Sequence, residues 1–171
     1  MEETQVLEEL KAVRDAVERL TGLRSRWSGS VVLMDGRETV SMKGYPLLAE
    51  KRWNCDIVLD AAVPDLPVRW RTYLHEMLHS ISVGLNEADY NRFRGWEEGV
   101  VEHLQRLLRP ERMNPYVQAL DELRLSLGSE PLHFYLHLLG VPLAQRMVHV
   151  RGLSDSPEFR RLFVYTLGKF R

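Results

Sequence analysis

Cysteine is nearly absent: Cys55 is the only one among 171 residues. It has no partner for an internal disulfide, and a zinc site built from thiolates alone is excluded. A chain so poor in cysteine fits a reducing compartment. An excess of one charge is also missing. The 23 Lys and Arg balance 24 Asp and Glu, for a formal net charge of −1. The basic residues are scattered, so the electrostatic footprint of a nucleic-acid binder is lacking and no such partner is expected. No apolar run reaches membrane-spanning length, and no membrane partner is expected. The opening MEETQVLEELKAVRDAVERL is acidic and amphipathic, whereas a secretion signal needs a basic start and a continuous apolar run. Internal repeats and low-complexity segments are absent too. The expectation is a cytoplasmic protein. Its 44% hydrophobic and 27% charged residues are ordinary for a globular chain. The length suits one domain over 1–171 with a core of its own.

Periodicity organises the chain. Val6, Leu7, Leu10, Val13, Val17 and Leu20 recur at helical spacing, predicting a helix from about Glu3 to Leu20 that Gly22 ends. In SVVLMDGRETVSM two short runs flank Asp35-Gly36, a hairpin signal. Another strand is predicted in WNCDIVLDAAV, around Ile57, Val58 and Leu59. From Val68 to about Val83 the pattern is helical, with Gly84 as its stop. LNEADYNRFRG reads as a linker, and a second helix follows from about Trp96 to Leu108, closed by Pro110. Further helices are predicted over Pro115–Leu127, Pro131–Leu139, Pro142–Val150 and Ser156–Leu167. Proline suits the first helical position, and Ser-Asp-Ser-Pro-Glu at 154–158 reads as a cap. Strands early and helices late predict an α+β fold, predominantly α. Its parts are a leading helix over 1–20, a core with a small sheet over 28–110, and a helical part over 111–171.

One stretch in the first core helix carries chemistry. YLHEMLHSIS places His75, Glu76 and His79 at the spacing H-E-x-x-H. Six His and 16 Glu placed at random would give roughly 0.02 such matches in this chain. On a helix the apolar residues Trp70, Leu74, Met77, Leu78 and Ile81 gather on one side. His75 and His79 lie together, rotated away from them. They are two histidines on a solvated polar face or a metal pair, since imidazoles four apart can reach one ion; a core position is the weaker reading, because they lie off the apolar stripe. A catalytic zinc takes three protein ligands and a water. A third histidine at position 85 is excluded, because that residue is Leu85. The next helix, GWEEGVVEHL, supplies Glu97, Glu98 and Glu102. Helical angle alone nominates Glu97, which projects toward the apolar face of Val100, Val101, Leu104 and Leu108.

H-E-x-x-H, eighteen residues and then Glu98-Gly99 resembles the gluzincin metallopeptidases, which include thermolysin-like proteases and zinc aminopeptidases. The resemblance covers roughly residues 54 to 108. It implies a zincin-like core, with zinc bound by His75, His79 and Glu98 and with Glu76 as general base. It also implies that Glu102, four residues after Glu98, supports the first zinc histidine. Such a carboxylate fixes a ligand's tautomer and orientation. Two departures stand out. Glu97 takes the place of the aminopeptidases' asparagine, and their Gly-x-Met-Glu-Asn motif has no counterpart. An endopeptidase acting on peptide or protein substrates is therefore expected, with an extended substrate added along the strand near Asn54–Leu59. The compact size resembles minimal gluzincins and small phage-type metallopeptidases.

The implied reaction needs a further donor to the developing oxyanion. His133, Tyr135, His137, His149 and Tyr165 are candidates, with Tyr135 and His137 first. Cys55 on the Asn54–Leu59 strand is expected to be a packing residue. Trp27, Trp53, Trp70 and Trp96 are expected in the core. The alternative from another class is an inactive zinc-binding interaction module, of phage or mobile-element origin.

Overall fold

Val6, Leu10 and Val17 give the first helix its buried face. This helix, α1, spans Glu3–Thr21 and ends at Gly22. Gly22 has φ of 69°, a left-handed conformation that glycine adopts without strain, and its N–H returns to the Glu18 carbonyl at 2.9 Å. The structure, a computed structural model, describes residues 1–35, 48–108 and 115–170. Gly36, the strand expected after it, and Pro110 lie outside the described residues. The chain divides into two compact units, Met1–Ile81 and Ser82–Arg171.

Among the described residues the first unit holds α1, three strands, a 3-10 turn at Val63–Asp65 and α2 (Arg69–Ile81). The strands are β1 (Val31–Met34), β2 (Ala49–Lys51) and β3 (Ile57–Asp60), in the order β1-β3-β2. β3 runs parallel to β1, with Val31 opposite Ile57, and antiparallel to β2, with Lys51 opposite Ile57. Ile57, Val58 and Leu59 are all buried. That explains a continuous apolar run where a half-exposed strand would alternate. The expected strand contracts to these few residues because Arg52–Asp56 forms the turn before it. There the Arg52 N–H meets the Asp56 carbonyl at 2.8 Å.

Cys55 lies in this turn, half-buried with φ of 71°, and not on the strand. Trp53 is 42% exposed, against the core position expected of it. β3 is the central strand, so a substrate cannot add along it as expected. Among the described residues the sheet edges belong to β1 and β2. α2 packs on α1 and β2. It buries Tyr73, Met77, Leu78 and Ile81, and leaves Trp70 and Leu74 half-buried.

The second unit is helical: α3 (Glu87–Leu108), α4 (Pro115–Ser126), α5 (Pro131–Gly140), α6 (Leu143–Arg151) and α7 (Pro157–Lys169). α3 packs against α4, α5 and α6, and α4 packs against α7. Trp96, Val100, Val101 and Leu104 give α3 its buried face. Ser156 caps α7 by accepting the Phe159 N–H at 3.1 Å, as its sequence suggested. Pro142 stands at the cap of α6, one residue before the helix.

α3 begins nine residues earlier than expected. Asn86 Oδ1 accepts the Asp89 N–H at 3.0 Å and starts a helical segment inside the supposed linker. A break at Phe93 (φ −123°, ψ 23°) separates this segment from the rest of α3. The result is an α+β protein, mostly helical with a three-stranded sheet. Among the described residues no helix is long and apolar enough to cross a membrane.

Candidate metal centre

His75 and His79 stand one turn apart on α2, and their Nε2 atoms are 3.1 Å apart. The ring centroids are separated by 4.8 Å with planes at 77°. His79 is buried and His75 half-buried, so the pair does not occupy an open solvated face. Two nitrogens bound to one tetrahedral zinc at about 2.0–2.1 Å would stand about 3.3 Å apart. The observed separation matches that edge. Without an ion, the same distance is that of a direct hydrogen bond between the rings, with one Nε2 carrying the proton.

Glu76, between them in sequence, is 7% exposed. Its Oε2 accepts the Lys51 backbone N–H from β2 at 2.7 Å. Lys51 is an edge-strand residue, and this N–H is directed to a helix side chain and not to a neighbouring strand. The bond fixes the carboxylate while leaving Oε1 outside it. Tyr73, a buried neighbour on α2, has a hydroxyl with no hydrogen-bond partner among the described residues. Burial pushes that phenol up to about 12, the Glu9 charge adding and Arg69 opposing.

The three acidic residues of α3 have different surroundings. Glu97 is 0% exposed and ion-paired with Arg146, itself 0% exposed. Ser82 Oγ donates to Glu97 Oε2 at 2.8 Å and accepts from Arg146 Nη2 at 2.6 Å. Arg146 Nε donates to the Val141 carbonyl at 3.1 Å. This is a buried, closely bonded charge pair. Glu98 is half-buried, and the Tyr90 hydroxyl donates to its carboxylate. Glu102 is buried, and its Oε1 receives Arg106 Nη2 at 2.8 Å and Nε at 3.1 Å. The glycine after Glu98 has a packing reason: a Cβ on Gly99 would stand 2.6 Å from Leu120 Cδ1 of α4. His75 and His79 can offer ring nitrogens, and Glu98 a carboxylate oxygen, as ligand atoms to a metal ion.

The two expected oxyanion donors lie on α5. Tyr135 has no exposed surface and stacks on His103, with centroids 3.6 Å apart and planes at 20°. Its hydroxyl is 3.5 Å from Asp121 Oδ1. Burial, then the Asp121 charge, pushes this phenol far above its ordinary value. His137 is exposed, with its Nε2 2.9 Å from His149 Nε2.

Three participants escaped the sequence reading. Tyr90 lies in the stretch taken for a linker, where Asn86 three residues before Asp89 is the cap signal that could have shown the helix. Lys51 acts through its backbone, which no side-chain motif reveals. Arg146 is 49 residues from Glu97, beyond the reach of any local pattern. No protein-family model, curated protein or solved structure matches the chain.

Proposed function

We propose that this chain is a zinc-dependent peptidase of gluzincin type, in which His75, His79 and Glu98 hold one ion. The observation that carries the reading is the facing of the two Nε2 atoms at 3.1 Å across an H-E-x-x-H turn. Neutral imidazoles and a carboxylate are a donor set that suits zinc. Glu97 is committed to Arg146 and Ser82, which leaves Glu98 as the better third ligand of the two. Tyr90 orients Glu98, a role that hydroxyl and carboxylate partners of metal ligands commonly fill. Glu102 has one oxygen on Arg106 and is proposed to use the other to hold His75.

Zinc, when bound, supplies Lewis acidity and brings the pKa of a water toward neutrality. The chain's own part is proton transfer. Glu76 takes a proton from the water as the water oxygen bonds to the scissile carbonyl carbon. As the C–N bond breaks, Glu76 passes that proton to the leaving nitrogen. The Lys51 N–H keeps the carboxylate aligned through both transfers. Nothing is oxidised or reduced, and the products are an acid and an amine.

The test is Glu76→Gln. The variant is expected to bind zinc as the wild type does, while turnover of a broad peptide library falls about 10²–10⁴-fold. A wild type as inert as the variant would overturn the peptidase reading in favour of a zinc-stabilised interaction module. The ligand assignment has its own test. Glu98→Ala is expected to lose metal and keep its fold, whereas Glu97→Ala loses stability by stranding Arg146. Equal metal content in the two folded variants would remove Glu98 from the site.

A further inference from the structure

We propose that His137 of α5 and His149 of α6, with His133 one turn back on α5, form a second metal site that takes a divalent transition ion such as Ni²⁺, Cu²⁺ or Zn²⁺. It shares no residue with the H-E-x-x-H turn. The Nε2 atoms of His137 and His149 are 2.9 Å apart, and the rings lie 4.9 Å apart at 44°. This convergence comes from two different helices, so helical spacing did not impose it. The connection Val141–Pro142 is short, and the Val141 N–H bonds to the Leu138 carbonyl at 3.1 Å, which fixes the turn between the helices. Leu138, Leu139, Leu143 and Val150 are buried beneath and hold both helices to the second unit.

His133 adds a third imidazole. Its ring is parallel to that of His137, at 11° and 6.4 Å between centroids. Residues four apart on a helix share a face, so a change of rotamer brings His133 toward the pair. His133 and His137 are exposed and His149 is half-buried, so an ion has access. The nearby Glu130 carboxylate is engaged with the His133 backbone N–H at 2.9 Å, capping α5. The site is therefore all imidazole, a set that favours late first-row ions over Mg²⁺ or Ca²⁺.

The experiment titrates the full chain with Ni²⁺ by calorimetry, in a His75→Ala/His79→Ala background and in the wild type. The double variant is expected to keep one binding event, and adding His137→Ala or His149→Ala should weaken it by about tenfold or more. His133→Ala should weaken it less. In the wild type, His137→Ala should remove one equivalent while leaving the other. Circular dichroism on each variant confirms the fold, and the wild-type stoichiometry stands if the double variant does not fold. Binding unaffected by both His137→Ala and His149→Ala, or no event beyond the one lost with His75 and His79, overturns the proposal and leaves a hydrogen-bonded histidine pair. Either result is independent of whether the chain cleaves peptides.

Discussion

Tyr90 donates its hydroxyl to Glu98 from the far side of the break at Phe93. On an unbroken helix, residues eight apart would be about 12 Å apart along the axis, so the break lies where this bond needs it. Tyr90→Phe removes the donor and little else. The expected result is an unchanged fold with zinc affinity reduced about 10–100-fold, measured by competition with a chromophoric chelator. Arg146 gives a contrasting prediction. Arg146→Leu leaves Glu97 buried without its charge partner, and should lower unfolding free energy by about 3–5 kcal/mol in urea. These residues also mark what local sequence reveals. The H-E-x-x-H histidines were legible because one turn of helix brings them together. Between Glu97 and Glu98, helical angle favoured Glu97 and only the gluzincin resemblance pointed to Glu98; the arginine that claims Glu97 is too distant in sequence for either to show.

At the scale of elements, six of the seven helices among the described residues begin within about two residues of where periodicity and caps placed them. Their apolar stripes and terminal glycine or proline signals are local. The α3 start is not legible from periodicity, because Tyr90, Phe93 and their polar neighbours show no clear apolar stripe; its one local signal is the cap at Asn86. The sheet was less legible still. β2 is three residues with no β-branched side chain, and the parallel pairing of β1 with β3 joins residues 26 apart in sequence. α3 also contains a close approach that only a small residue permits. A Cβ on Gly95 would stand 2.6 Å from Phe170 Cβ and 2.8 Å from its Cα. Backbone cannot yield as a side-chain tip does. Gly95→Ala is therefore expected to destabilise by about 1–3 kcal/mol despite alanine's better helix propensity, read as a lower Tm.

For the molecule as a whole, His103 is an identifiable contributor to stability in acid. His103 is buried, stacked on Tyr135, and its Nδ1 has no hydrogen-bond partner among the described residues. Burial lowers its pKa from 6.5 to about 4, Asp121 opposing and Arg124 and Arg106 assisting. Between those values the unfolded chain holds the proton and the native chain does not. Its contribution is thus complete above pH 6.5 and is lost as pH falls toward 4, by about 3 kcal/mol. His103→Phe keeps the stack and should flatten that part of the pH–stability curve, measured by urea unfolding at several pH values. The bond between Glu76 and the Lys51 N–H has a different consequence. A bare strand edge is a template for another copy of the same chain, and natural proteins cover such edges. Here the helix that carries the proposed base also covers the edge of β2 at that point. Glutamine at position 76 can still accept the bond through its amide oxygen, whereas alanine cannot. Glu76→Ala is therefore expected to self-associate where Glu76→Gln stays dispersed, a difference that light scattering from the two variants would read.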